Sequence, residues 1–408
     1  MCSLHRFLTL GASLLLLSVS HAESNWPRWR GPAGTGVSSA TDLPVQWDNS
    51  NVRWKTELIG QGQSSPVVWG DQIFLTAATE GGRNRVVMCL DRESGKLLWH
   101  DVAWTGEPEK TNGMNQYASA TCATDGKHVV AFFGRGGIHC YDFDGEKLWS
   151  RDLGKFEGPW GTASSPIIYE DLVIQNCDAE DKASIVGLDK QTGKTVWETP
   201  REKHRGWSSP LLVETPQRTE VVINGDQGVN SYEAKTGEEL WFAGGHQGRG
   251  TPTVTKFKDI LIAVGGRSGN MLAMKPGGTG TIDEAGQVWQ TARKGGRDLP
   301  SPVVIGQYLV VVSHRPGVAT SYDAATGKEL GKTRLEGKFS ASPIAANGLA
   351  YIPNESGDVF VLRPGENLEV VAKNQLDIAD EETFRACVTP SQGELLIRSQ
   401  RVLYCVGK

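Results

Sequence analysis

One strand pattern recurs along this chain often enough to dictate its architecture. It first reads SSPVVWGDQIFLTA followed by RVVMCLDRESGKLLWHDV, from Ser64 to Val102. It returns as SSPIIYEDLVIQN with SIVGLDKQTGKTVW, as SSPLLVETPQRTEVVIN with VNSYEAKTGEELW, and in weaker form as SPVVIGQYLVVVS with VATSYDAATGKEL. Self-similarity of this kind means that one supersecondary unit is stacked many times, because a single unit cannot bury its own apolar face. The last copy, ACVTPSQGELLIRSQRVLYCVGK, stops after three strands.

Each unit reads strand, turn, strand, loop, strand, tight turn, strand. In LDRESGKLLW and LDKQTGKTVW, an acidic residue precedes Ser or Thr and then Gly, which supplies a turn former followed by a residue free to take positive φ. An aromatic follows that turn at Trp99, Trp149, Trp197, Trp241 and Trp289, and Trp54 matches them ahead of the first full unit. A flat residue repeated once per unit predicts docking of each sheet on its neighbour. The 49 glycines and 13 tryptophans, with no long run at helical period, support an all-β chain. Radial repetition that leaves only short edges is a β-propeller. The expected fold is therefore an eight-bladed β-propeller of four-stranded antiparallel blades. Blades start near residues 64, 118, 164, 208, 250, 300, 341 and 386, and a strand at residues 52–58 completes the last blade and closes the ring. Residues 52–408 form this single domain and residues 23–51 an extended segment leading into it. Within that segment NWPRWRGP, residues 25–32, is expected to place Trp26 and Trp29 against the closing blades, with Arg28 and Arg30 pointing outward.

Residues 1–22 have the composition of a secretory signal peptide: Arg6, an apolar run, then Ser20, His21 and Ala22 as a small-x-small cleavage site. The run is shorter than the roughly 18 residues of a membrane span. The only leader cysteine is Cys2, so a lipoprotein is not expected, and the product is expected in the periplasm or outside the cell. The formal net charge of −5 gives no pull towards nucleic acid.

The run Asp189 to Trp197, Asp-x-x-Thr-Gly-Lys-x-x-Trp, resembles the tryptophan-docking repeat of the PQQ-like quinoprotein propeller superfamily. NWPRWRGP, followed by Trp54, Lys55 and Ser64-Ser65-Pro66, resembles the amino-terminal signature of its secreted bacterial members. The resemblance implies this fold over the whole mature chain. It implies two kinds of work: dehydrogenases that use pyrroloquinoline quinone with Ca²⁺, and BamB-like non-catalytic scaffolds of outer-membrane assembly. The dehydrogenases carry adjacent cysteines at the cofactor, and the haem-containing members carry Cys-x-x-Cys-His. This chain has neither, so no catalytic residue, metal ligand or cofactor is assigned. Cys89, Cys140 and Cys405 occupy a slot that holds small residues in other units, and are expected as free packing thiols.

Loops from fourth to first strands, and from second to third strands, lie on one face around a propeller channel. The first set brings Asn115, Trp160, His204, Arg205, Trp207, His246, Arg249, Arg293 and Arg297 to that face, and the second adds Arg83, Arg85, Arg135, Arg267 and Arg315. Arginine with tryptophan suits planar hydrogen bonding and stacking, so an anionic ligand, a carbohydrate or a protein is expected there. Three classes of function remain open: a binding or scaffold propeller, a quinoprotein dehydrogenase of alcohols or sugars, and a carbohydrate-active or polysaccharide-binding propeller.

Overall fold

The computed structural model describes residues 25–202, 205–245, 248–267, 270–292, 298–378 and 382–408; the leader lies outside them. Eight sheets form the ring, each built on four antiparallel strands. Blade one runs Val67–Trp69, Gln72–Thr79, Asn84–Asp91 and Leu97–Thr105. Blade three, Ile167–Tyr169, Leu172–Asn176, Ala183–Asp189 and Thr195–Arg201, repeats the order. Second and third strands are apolar on both faces because each blade is sandwiched between two others, so Leu172–Asn176 and Ile260–Val264 are buried throughout. Fourth strands alternate, as half-covered strands do.

The ring closes as the pattern predicts. Val52–Glu57 pairs antiparallel with Val402–Val406, setting Trp54 opposite Cys405, and so supplies the fourth strand of blade eight. Arg92 of blade one seals the joint from the other side: its guanidinium donates to Ser391 O at 2.7 Å and pairs with Glu394 at 2.7 Å.

Blade contacts are built by the repeated tryptophans. Trp99 Nε1 donates to Phe143 O at 2.9 Å, Trp149 Nε1 to Lys190 O at 2.8 Å and Trp289 Nε1 to Ala324 O at 3.2 Å, each in the next blade. The indole lies on the next blade's tight turn. At Gly193 a Cβ would stand 2.6 Å from the Trp149 ring, and φ is +67°, so space and backbone both require glycine. Trp241 departs from this scheme: blade five has Lys275-Pro276-Gly277 in place of the turn, and the indole donates to Glu220 within its own blade at 2.8 Å. The same region adds an element the sequence did not announce. Residues Gly280–Ile282 leave blade five and pair in parallel with Trp241, Phe242 and Ala243, making blade four five-stranded.

The amino-terminal segment corrects one expectation. It crosses the channel: Trp26 bridges Val68 of blade one, Pro27 O accepts from Thr124 N of blade two, and Ser38 N donates to Ala345 O of blade seven. Arg28 and Arg30 do not point outward. Arg30 is 2% exposed, and donates to Ser301 O at 3.2 Å and to Thr35 O and Pro302 O at 2.5 Å. Arg28 donates to Pro32 O at 2.7 Å. A channel wall made of strand ends offers carbonyls with no ladder partner, and a guanidinium satisfies several at once. Burial lowers the pKa of both arginines to about 10.

Candidate functional site

The second residue of each blade's opening Ser-Ser-Pro or its equivalent faces the channel, just before the first strand turns inward. Ser65 N donates to Thr121 Oγ1 at 2.9 Å, Thr121 N to Ser165 Oγ at 3.0 Å, Ser165 N to Ser209 Oγ at 2.9 Å and Ser209 N to Thr253 Oγ1 at 3.2 Å. The series continues from Thr253 N to Ser301 Oγ at 2.9 Å, Ser301 N to Ser342 Oγ at 2.8 Å, Ser342 N to Cys387 Sγ at 3.3 Å, and Cys387 N back to Ser65 Oγ at 2.9 Å. Eight side chains thus close a hydrogen-bonded circle, one per blade. Each satisfies a buried backbone N–H that has no strand partner at this point. The sequence signal was present as the recurring Ser-Pro, but only ring closure shows that each hydroxyl serves the preceding blade.

Above the circle a cavity of about 180 Å³ opens towards the loop face, with Trp29 of the amino-terminal segment in its wall. Trp29, expected as a packing residue only, therefore belongs to the site as well. Of the loop residues singled out from the sequence, Asn115, Trp160, Trp207 and Arg249 line this cavity together, although they come from four different inter-blade connections. Asn115 Nδ2 donates to Trp160 O at 2.9 Å and Trp207 Nε1 to Gly161 O at 2.8 Å, so each loop is pinned by its neighbour. The Arg249 guanidinium lies 4.7 Å from the Trp160 ring centroid, within stacking range. Arg385, not picked out from the sequence, also lines the cavity. It donates to Gly113 O at 2.6 Å and pairs with Glu355 at 3.2 Å, tying blade eight's entry loop to blade two's. Burial opposes ionisation of Glu355, but hydrogen bonds from Ser340 and Arg385 outweigh it and hold the carboxyl below the usual carboxylate range.

Other arginines expected at the mouth are placed differently. Arg205 sits beside the cavity and is paired with Glu180 at 2.5 Å. Arg85 is fully buried on the third strand of blade one, paired with Glu109 at 2.6 Å and stacked 4.6 Å from the Tyr117 ring, both of them from the connection between blades one and two. Arg83 is exposed but paired with Glu107 at 2.7 Å. Arg135 is half-buried, and Arg267 and Arg315 are exposed. Arg83, Arg85 and Arg205 are thus each compensated by a local carboxylate. His204, His246, Arg293 and Arg297 lie outside the described residues.

Two polar atoms of lining residues, Asn115 Oδ1 and Trp160 Nε1, are buried with no hydrogen-bond partner among the described residues. Such atoms cost about 1–3 kcal/mol each unless something binds them. The lining is therefore suited to receive a polar group against an aromatic wall. Pyrroloquinoline quinone with Ca²⁺ does not fit it. Ca²⁺ takes six to eight oxygen ligands, usually with carboxylates, whereas the described lining offers hydroxyl and amide oxygens and no Asp or Glu. The six described cysteines are all free and buried, and burial pushes the thiols of Cys89, Cys122, Cys140 and Cys405 up to about 12.

Eight blades, seven of four strands and one of five, with docked tryptophans between several of them and an amino-terminal strand closing the ring, define a PQQ-like repeat propeller. More narrowly, the family model described as outer membrane protein assembly factor BamB matches residues 34–134, 83–275 and 279–364, and the chain belongs to that family. The outer membrane protein assembly factor BamB of Shewanella oneidensis is 24% identical over 303 residues, covering 69% of this chain and 67% of that protein. Among solved structures, BamB from Moraxella catarrhalis superposes with a TM-score of 0.60 at 16% identity, over 87% of this chain and 98% of its own. A quinohemoprotein alcohol dehydrogenase from Pseudomonas putida reaches 0.65 at 11% identity, over 94% of this chain and 80% of its own. At these identities the structural likeness is one of fold. No helix among the described residues is long and apolar enough to cross a membrane.

Proposed function

We propose that this chain is a non-catalytic binding propeller of the cell envelope that serves outer-membrane protein assembly as a scaffold, engaging a protein partner over the funnel on its loop face. The observation that carries the reading is the funnel lining among the described residues: tryptophans, two arginines, amides and hydroxyls, with two buried polar atoms left unpaired and no Asp or Glu. Such a set binds and orients but supplies no paired acid and base. Family membership and the names of the relatives support the same role. The leader-like composition of residues 1–22 supports export to the envelope.

The test compares wild type with a Trp160→Ala/Arg249→Ala variant as bait in envelope extract, each first shown to be folded by thermal unfolding. The variant is expected to lose the partner that wild type retains. Retention of every partner by the variant would remove the funnel from the interface. Dye-linked oxidation of an alcohol on adding pyrroloquinoline quinone and Ca²⁺ to wild type would overturn the non-catalytic reading.

A further inference from the structure

The funnel carries more positive charge than its lining alone supplies. Arg30 and Arg398, 2% and 1% exposed, lie behind its floor. Arg30 donates to Ser301 O and Pro302 O, and Arg398 to Ser64 O at 2.7 Å and to Thr76 O at 2.8 Å. Ser301 lines the cavity and Ser64 precedes the lining Ser65, so each guanidinium is bonded to the backbone of the wall or to the residue beside it. Neither pairs with a carboxylate among the described residues; the ionisable groups that act on them are thiols, Cys387 on Arg30 and Cys122 on Arg398. Burial lowers Arg398 to about 9, and both arginines remain charged at neutral pH. Of the acids near the wall, Glu355 is held by Arg385 and Ser340, and Asp298, next to the lining Leu299, is not itself part of the lining. A buried charge without a counter-ion is costly, and a cleft walled by one sign draws the other.

One occupant has three features of this cavity to satisfy. The charge calls for an anion. Asn115 Oδ1 is an acceptor that lacks a donor, and Trp160 Nε1 a donor that lacks an acceptor. Trp29, Trp160 and Trp207 add apolar wall for the body of a ligand. A simple carboxylate answers the charge and Trp160 Nε1, but sets a second oxygen against Asn115 Oδ1. A neutral sugar answers both atoms and leaves the charge. An amino acid brings its donor only as a further positive charge. A carboxylate that also bears hydroxyls meets all of these demands, because a hydroxyl both donates and accepts. The cavity, at about 180 Å³, is smaller than the ~300 Å³ and above of drug-sized pockets, so it takes one small molecule.

We propose that the funnel binds a small hydroxylated carboxylic acid of the sugar-acid class, with hydroxyls against Asn115 and Trp160 and its carboxylate drawn by Arg249 and the buried arginines behind the floor. This rests on reading the funnel as the binding site, and adds a small ligand to the protein partner engaged there. A free acid and the acidic end unit of a glycan share this chemistry.

Calorimetry on the purified chain compares galacturonate and glucuronate with their neutral counterparts, methyl galactoside and methyl glucoside, and with cyclohexanecarboxylate, which keeps ring and charge but has no hydroxyl. The better of the two sugar acids is expected to bind at least about tenfold tighter than either kind of control, as one charged hydrogen bond supplies, and to quench tryptophan emission. Arg249→Gln is expected to bring that acid down to the level of the neutral glycoside, whereas Arg363→Gln, exposed at blade seven's tight turn, leaves it unchanged. Digalacturonate held as tightly as galacturonate assigns the end of a glycan, and weaker binding the free acid. Because the probes are compared on unaltered protein, the result does not depend on a variant folding. The proposal is overturned if wild type binds neither acid, if it does not prefer them to the neutral glycosides and to cyclohexanecarboxylate, or if Arg249→Gln binds as wild type does. Absence of that preference, together with loss of envelope partners by Trp160→Ala/Arg249→Ala, sinks this inference and leaves the function reading intact; the preference together with retained partners does the reverse.

Discussion

Ser165 shows how much one small side chain carries here. Its Oγ accepts from Thr121 N while its own N–H donates to Ser209 Oγ. Replacing it by alanine leaves a buried N–H unpaired, and stability should fall by about 1–3 kcal/mol, read by urea unfolding. Cys387 occupies the same place in blade eight and accepts more weakly, at 3.3 Å through sulfur. Cys387→Ser should therefore be neutral or stabilising in the same experiment, and Cys387→Ala destabilising. His139 is a residue of another kind. It is 3% exposed, hydrogen-bonded to Gly136 O at 2.8 Å and to Ser150 Oγ at 2.9 Å, and burial pushes its pKa down to about 4. The unfolded chain binds a proton at the ordinary value near 6.5, so between about pH 6.5 and 4 the unfolded state holds more protons than the folded one. Stability contributed by the neutral ring is present above pH 6.5 and is lost as pH falls towards 4. The loss is on the order of 3 kcal/mol. An uncharged replacement, His139→Gln, should flatten that limb of a stability-against-pH curve, and an unchanged slope would remove His139 as its source.

At the scale of the element, a fourth strand that carries the repeated tryptophan does two jobs: the tryptophan docks on the next blade's turn, as at Trp99, Trp149 and Trp289, and the outer edge meets whatever lies beyond the ring. Thr199 illustrates the first, because its hydroxyl also reaches the next turn, at Gly237 O, at 2.6 Å. The docking pattern is readable from the sequence wherever Asp-x-x-Thr-Gly-Lys-x-x-Trp is intact. It fails at Trp241 because the deciding residue lies in the following unit, where Lys275-Pro276-Gly277 replaces the turn. The parallel strand Gly280–Ile282 was unreadable for a related reason: three residues, two of them Gly and Thr, carry no period, and their pairing is set by which edge passes within reach. Loop residues follow the same rule. Asn115, Trp160, Trp207 and Arg249 were legible as one face because strand order fixes the side on which a connection emerges. Their ion pairs and stacking were not.

The whole molecule depends on one strand that lies more than 300 residues from its partner. Val52–Glu57 completes blade eight, and the segment before it crosses the channel, so the start of the chain touches blades one, two, six, seven and eight. Removing residues 25–58 would expose Val402–Val406 as an open edge beside an unplugged channel. The truncated chain is expected to self-associate on size-exclusion chromatography and to melt at lower temperature than the full chain. A monomer with unchanged melting would mean that the clasp is dispensable.

The sequence by itself determined the number of blades, their strand order, the tryptophans that join them and the strand that closes them, because each is a local pattern repeated until chance is excluded. What NWPRWRGP does was settled only by the tertiary structure. Arg28 and Arg30 read as surface charges by residue type, yet both turn inward: Arg28 to Pro32 O of its own segment, and Arg30 to Ser301 O and Pro302 O, carbonyls that the closed ring brings to it. The hydrogen-bonded circle and the funnel wall at Trp29 are of the same nature. Each is a relation between residues far apart in the chain, and closure of the ring is what brings them within hydrogen-bonding distance or leaves them facing solvent.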